Sequence, residues 1–127
     1  MSAPVDADFL AAQRATLLSL LQDHEERART LLAEVEALAN GEEGSDAQAD
    51  GEMGDADASA TAREHLALAA RHEREASEAA RQALARLDAG TYGTCTSCGQ
   101  PIARERLEAL PETPVCVVCK AGRALVR

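Results

Sequence analysis

Residues 95–119 read CTSCGQPIARERLEALPETPVCVVC and contain all four cysteines of the chain. The cysteines form two pairs, Cys95-Thr-Ser-Cys98 and Cys116-Val-Val-Cys119, which are separated by 17 residues. Zinc prefers four soft ligands at the corners of a tetrahedron, and each Cys-x-x-Cys turn brings two thiolates to adjacent corners. The spacing therefore predicts that these four cysteines bind one zinc ion.

Disulfide bonds and a redox-active cysteine pair are the alternative uses of such cysteines. Disulfides are disfavoured in a reducing cytoplasm, and a redox Cys-x-x-Cys is expected in a βαβ setting, which this sequence lacks. Four thiolates leave no open position for a water molecule, so we expect a structural and not a catalytic zinc ion. Its role is to fold a segment that is too small to be stable alone.

The composition indicates long helices and not a thick globular core. Apolar residues make up 46% of the 127 residues, but many of them are alanine, and aromatic residues make up only 2%. Large buried areas normally come from aromatic and branched side chains. Ala, Glu, Arg and Leu dominate instead, as expected of long helices that pack through narrow seams.

A heptad pattern predicts a first helix from about Asp6 to Ala39. Positions spaced by seven residues, and positions four residues after them, are largely apolar, with interruptions at Arg14 and His24. The set comprises Leu10, Leu17, His24, Leu31 and Leu38, together with Leu21, Ala28 and Val35. This pattern is typical of the a/d seam of a coiled coil.

A second helix is predicted from about Asp55 to Asp88, with Gly90 as its C-terminal cap. Its inner stripe comprises Leu66, Ala69, Glu73, Ala76, Ala80, Ala83 and Leu87. The region of about 40–57 has seven acids and no base, and is predicted as an acidic tip loop. The similar helix lengths favour an antiparallel hairpin within one chain, and hence a monomer; pairing of the helices between two chains is the alternative.

The predicted fold class is mainly α: a long antiparallel two-helix coiled-coil hairpin over residues 1–90, then a small four-cysteine zinc finger with a short C-terminal helix over residues 91–127. Short helices are predicted at Ala103–Leu110 and Lys120–Arg127. Residues 1–90 have 8 Arg and 19 acids, a formal charge of −11, whereas residues 91–127 carry +2. Phosphate backbones repel an acidic body, and the finger has Tyr92 as its one aromatic residue, so direct nucleic-acid binding is not expected.

Other classes of site and compartment are disfavoured by the sequence. No stretch reaches the roughly 18 apolar residues that span a bilayer, and Met1 to Phe9 lacks the apolar region of a secretory signal, so we expect a cytoplasmic protein with no membrane partner. His24, His65 and His72 are expected to be seam or surface residues, because the cysteines already satisfy the zinc. Two thin helices offer no water-excluding pocket, so no enzyme activity is expected.

The chain resembles the DksA/TraR zinc-finger proteins of bacteria. The residues that carry the resemblance are Gly90-Thr-Tyr-Gly-Thr-Cys-Thr-Ser-Cys-Gly99, Pro101-Ile102, Arg106-Leu107-Glu108-Ala109, Pro111 and Cys116-x-x-Cys119-Lys120, after a long helical hairpin. The resemblance implies a transcription regulator that binds RNA polymerase and not DNA. It further implies that the coiled coil enters the secondary channel of the polymerase, where acidic residues at the tip modulate promoter complexes.

The tip is where this sequence departs from the family. The family shows Asp-x-x-Asp-x-Ala, and an ungapped count back from Cys95 places Glu52 and Asp55 on the two acids and Asp57 on the alanine. The resemblance therefore implies Asp55 as the first candidate tip residue, with Glu52 and Asp57 as further candidates. A shifted register through Asp57-Ala58 is the alternative.

Arg106 and Lys120 are candidate polymerase contacts, because the mildly basic finger offers positive charge that the acidic hairpin lacks. The response to guanosine tetraphosphate stays open. Lys120 follows the last cysteine as in responsive members of the family, but Leu110 stands where they have a basic residue. An adaptor protein, in which the coiled coil spaces a zinc module that docks on a different protein, is the alternative function.

Overall fold

The computed structural model describes residues 5–44 and 53–125. It contains four helices: α1 (Ala7–Gly44), α2 (Met53–Ala89), α3 (Arg104–Ala109) and α4 (Val117–Leu125). The two long helices pack together, and within the described ranges the β-structure is limited to one antiparallel bridge between Thr94 and Pro101. The predicted fold class, two long helices followed by a four-cysteine finger and a short C-terminal helix, is confirmed.

Local hydrogen bonds fix where the long helices begin and end. The Asp6 carboxylate accepts the backbone N–H of Phe9 at 2.8 Å, which caps the first turn of α1. At the end of α2, Gly90 adopts φ +79°, and the N–H groups of Gly90 and Thr91 donate to the carbonyls of Leu87 and Arg86. This is a Schellman ending, for which glycine is favoured because φ is positive, and it confirms the predicted cap.

α1 runs further than the heptad pattern predicted. The prediction placed its end at about Ala39, whereas the helix continues to Gly44. A glycine inside a helix costs only about 1 kcal/mol relative to alanine, so Gly41 alone does not end one. Residues 45–52, the middle of the predicted acidic tip loop, lie outside the described residues, whereas residues 40–44 and 53–57 belong to α1 and α2 and not to a loop.

The chain divides into two compact units, and the first contains the cysteines. This finger unit comprises Met1–Gln22 and Ser77–Arg127. Its core joins the beginning of α1 and the end of α2 to the finger, and the largest fully buried side chains are Leu17, Leu107 and Cys95. The other core members are Phe9, Ala80, Ala83, Tyr92, Ile102 and Val115, with Leu10, Leu21, Leu84, Leu87, Cys116 and Cys119 partly buried around them.

The second unit, Asp23–Ala76, is called the helix-pair unit below, and its described residues belong to α1 and α2. Its buried apolar residues are small, namely Ala28 and Ala70, while Leu32 and Leu68 are exposed. His24 lies at the predicted seam, where its Nδ1 is 2.7 Å from a carboxylate oxygen of Glu73. This pair places a polar contact at a position where coiled coils normally have an apolar one.

Among the described residues, none of the helices combines the length and the apolar character required to cross a membrane.

Candidate metal centre

The first cysteine pair lies in a tight turn that follows Tyr92. The Cys95 N–H donates to the Gln100 carbonyl at 2.8 Å, and the Gly99 N–H donates back to the Cys95 carbonyl at 2.9 Å. Gly99 has φ +78°, a conformation that glycine enters without steric cost. The turn brings the two cysteines of the pair to one side of the backbone.

The second pair is positioned by the start of α4. Cys116 immediately precedes the helix, and its carbonyl accepts the N–H of Lys120 at 3.0 Å, the first hydrogen bond of that turn. Cys119 follows three residues later, on the same face of the turn. The free N–H groups at a helix start carry partial positive charge, which favours thiolates over thiols beside them.

The four sulfurs meet at one point of the finger. All four ligand atoms lie within 4.8 Å of one another. The sulfurs of Cys98 and Cys116 are 3.8 Å apart, and a tetrahedral zinc ion with Zn–S bonds of about 2.3 Å requires an S–S edge of about 3.8 Å. The donor set and the spacing therefore fit one zinc ion in a C4 site, as the sequence predicted.

The surroundings of the cysteines shift the pKa values of their thiols in opposite directions. Burial raises the pKa of the Cys95 thiol, but the backbone N–H groups of Cys116, Cys98 and Ser97 donate to it and bring its pKa down to about 6. The crowded sulfurs of Cys95, Cys98 and Cys116 raise the pKa of Cys119 to about 12. Four adjacent thiolates repel one another, and a divalent cation among them removes that penalty.

A buried polar contact that the sequence did not indicate attaches the finger to α1. Gln13 is 6% exposed, and its amide nitrogen donates to the Tyr92 hydroxyl and to the Leu107 carbonyl, both at 2.8 Å. The Tyr92 hydroxyl in turn donates to the Pro111 carbonyl at 2.8 Å. Burial raises the pKa of Tyr92, so the hydroxyl keeps its proton and acts as the donor to Pro111.

The structure places the two candidate polymerase contacts differently. Lys120 is exposed at the start of α4. Arg106 is half-buried and turned into the finger, where its Nε donates to the Val115 carbonyl at 3.0 Å. Leu110, at the position where responsive family members have a basic residue, is 45% exposed.

The remaining sequence candidates lie in or beside the helix pair. Asp55 and Asp57 fall in the first turns of α2, while Glu52 lies outside the described residues. His65 and His72 are exposed on α2. Among the described residues, the groups of Cys, His, Asp and Glu that could hold a metal are limited to the four cysteines.

The sequence around this centre matches a known family. Residues 90–123 match the prokaryotic dksA/traR C4-type zinc finger. This segment is similar to the DksA/TraR zinc fingers. The finger therefore begins at the glycine that caps α2 and extends into α4, with all four ligands inside the match.

The fold of the chain, including the finger, has a solved counterpart. The chain is similar to the structure of transcription factor DksA2 from Pseudomonas aeruginosa, with a TM-score of 0.76 over 94% of this chain and 86% of that chain. The two sequences are 22% identical, so this likeness establishes the shared fold. No curated protein matches the chain. Both comparisons name DksA: the family model is that of the dksA/traR finger, and the solved structure is that of the transcription factor DksA2.

Proposed function

We propose that the protein binds RNA polymerase and inserts its coiled coil into the secondary channel, where the acidic tip modulates promoter complexes. The observation that carries this proposal is the DksA/TraR finger at residues 90–123 on a chain that shares its fold with DksA2 over 94% of its length. Either finding alone leaves the function open, because a fold hosts many functions.

The charge distribution supports a protein partner. Residues 1–90 carry a formal charge of −11, which opposes direct contact with a nucleic-acid backbone. The finger is mildly basic, and it exposes Lys120 beside the apolar side chains of Val117 and Val118, which are 62% and 73% exposed. A surface that combines apolar area with a positive charge suits contact with another protein.

The proposed zinc ion is structural. Four thiolates fill its coordination sphere, so it offers no site for water or substrate. Its contribution to function is to hold Cys95 in the core with Leu107 and to fix the start of α4, where the exposed Lys120 lies. We assign the regulatory effect to the tip candidates, with Asp55 first among them.

The proposal is tested by measuring binding and effect in one preparation. Zinc-loaded protein is titrated against purified RNA polymerase core enzyme, and the lifetime of promoter complexes is measured at the same protein concentrations. We expect saturable binding and an altered lifetime, with residues 1–90 and the finger both required. Saturable binding to a different protein, with no affinity for the polymerase, would establish the adaptor function instead.

A further inference from the structure

The loop before Cys116 is held almost entirely through its carbonyl groups. Residues 111–115 include two prolines, which have no backbone N–H to donate. Four donors to the loop come from other parts of the finger unit: Tyr92 to Pro111, Arg86 to Glu112, the Thr96 N–H to Pro114, and Arg106 to Val115. The position of the second cysteine pair therefore depends largely on donors outside the loop.

Arg106 makes the contact nearest to the ligand. Its Nε donates to the Val115 carbonyl at 3.0 Å, and its Nη2 lies 3.3 Å from the Thr113 hydroxyl. The Thr113 hydroxyl, in a side chain that is 8% exposed, donates to the same Val115 carbonyl at 3.0 Å. Two donors thus converge on one oxygen, and the planar guanidinium group links them.

The Val115 carbonyl belongs to the same peptide plane as the N–H of Cys116. A peptide unit is rigid and trans, so its C=O and N–H point in opposite directions. This plane leads directly into Cys116, whose sulfur lies 3.8 Å from the Cys98 sulfur of the first pair. A side chain that fixes the carbonyl of this plane therefore also fixes the backbone from which the Cys116 side chain projects.

We propose that Arg106, supported by Thr113, is a positioning residue for the zinc site, because it orients the Val115–Cys116 peptide plane. The plane leads into one ligand, Cys116, whose sulfur lies beside the sulfur of Cys98 from the first pair. Arg106 lies on α3, which follows the first cysteine pair, so it links the two halves of the finger. None of its described contacts reaches a sulfur directly.

The expected effect is a lower zinc affinity, because Cys116 is held less firmly in the position that the ion requires. Loss of a hydrogen-bonding partner around metal ligands typically lowers metal affinity by about 10-fold to 100-fold. Because Arg106 acts through one peptide plane, we expect the lower end of that range.

The experiment compares Arg106→Lys with Arg104→Lys in the full chain. Both substitutions keep the charge and lie on α3, but the described contacts of Arg104 are to Glu108 and the Phe9 ring. Zinc affinity is measured by competition with a chromophoric chelator. We expect Arg106→Lys to raise the zinc dissociation constant about 10-fold and Arg104→Lys to change it less than about twofold. Thr113→Val should weaken zinc binding in the same direction by a smaller factor.

The visible spectrum of the cobalt-substituted protein separates positioning from stability. Ile102→Val removes one methyl group from the finger core and should leave the tetrahedral cobalt bands unchanged, whereas Arg106→Lys should shift them. Three results would overturn the proposal. They are an affinity of Arg106→Lys within about twofold of the wild type, an equal loss in Arg104→Lys, or a cobalt spectrum of Arg106→Lys that matches the wild type.

Discussion

Gln13, a residue of the first helix, donates a hydrogen bond to the hydroxyl of Tyr92, which lies 79 positions later at the entrance to the finger. Both side chains are more than nine-tenths buried. The same amide nitrogen also reaches the Leu107 carbonyl, so one side chain serves two segments of the finger. Removal of this donor would leave buried acceptors without a hydrogen bond, which is costly, so the contact should contribute to the stability of the finger unit.

Gln13→Ala should destabilise the zinc-loaded protein by about 1–3 kcal/mol, because the Leu107 carbonyl loses its donor in a buried site. The measurement is the free energy of unfolding from urea titration at fixed free zinc. Gln82→Ala is the matched control, since Gln82 is exposed on α2 and contacts only Glu78 among its described hydrogen bonds. If Gln13→Ala lowers the free energy of unfolding no more than Gln82→Ala does, the buried Gln13 contact contributes little to stability.

The purified protein should contain about one equivalent of zinc, because four clustered sulfurs satisfy one tetrahedral ion. Removal of the metal with a chelator should unfold the finger and leave much of the helical circular dichroism, since the seam of the helix-pair unit contains no ligand. The readouts are metal content, circular dichroism and the reactivity of the cysteines. A metal-free protein whose finger remains folded would contradict the prediction.

The Glu73 carboxylate should contribute stability that is lost on acidification. The hydrogen bond with His24 lowers the pKa of Glu73 below its ordinary value of 4.5. A group whose pKa is depressed by folding stabilises the protein above its unfolded pKa and loses that contribution as pH falls through the folded value. The difference in unfolding free energy between the wild type and Glu73→Gln should therefore be present at about pH 6 and shrink steadily below pH 4.5.

The exposed pair of Glu78 with Arg81 provides the control for this titration. Both side chains are more than half exposed, so water screens the pair. The free energy of unfolding of Glu78→Gln should differ little from that of the wild type over the same pH range. If the Glu73→Gln difference does not depend on pH, the His24 contact does not hold the carboxylate in its charged form.

Lys120→Gln should weaken association with RNA polymerase by about two- to fivefold, the effect of one exposed charge contact at an interface. Added salt should reduce the difference between the variant and the wild type. Arg81→Gln, which removes an exposed charge from α2, is the control. Arg106 remains a predicted polymerase contact, and Arg106→Lys should be compared at saturating zinc so that metal loss does not enter. Binding that is independent of salt and of Lys120 would place the interface elsewhere.

Asp55→Asn should preserve polymerase affinity while it reduces the effect on promoter complexes, because it removes a charge with almost no change in size. If the tip reaches the catalytic magnesium centre of the polymerase, its carboxylates can act there as hard oxygen ligands or through charge alone. Glu52→Gln and Asp57→Asn should show smaller losses in the ungapped register, whereas a shifted register makes Asp57→Asn the larger one. Promoter-complex lifetime and affinity are measured in parallel. Full regulatory activity in all three variants would mean that the tip mechanism does not apply here.

The sequence was sufficient for the presence of the helices, though not for all their bounds, and for the clustering of the four cysteines, because both follow from local spacing. Heptads determine a helix face, and two Cys-x-x-Cys turns leave few arrangements of four thiolates. The cap at Gly90 follows from the same kind of local rule, since positive φ at a helix end favours glycine.

The roles of Gln13 and Arg106 could not be predicted in the same way. The seam was assigned with Arg14 as its interruption, yet Arg14 is exposed and pairs with Asp88, while Gln13 is the buried polar residue. Gln13 lies three residues after Leu10 and four before Leu17, so its position on the inner face was visible, but its partners come from distant segments. Arg106 looked like surface charge because the acceptor that orients it, the Val115 carbonyl, is a backbone atom.

Cys95 is 2% exposed and shares the core with Leu17 and Leu107, so a metal ligand stands where a larger protein would place another apolar side chain. A ligand that binds only the folded form stabilises it in proportion to the logarithm of its free concentration, and each tenfold increase adds about 1.4 kcal/mol once the site is saturated. The folded fraction of the finger is thus linked to the free zinc concentration of the compartment. A fall in free zinc therefore lowers the folded fraction of the finger even when synthesis of the protein is unchanged.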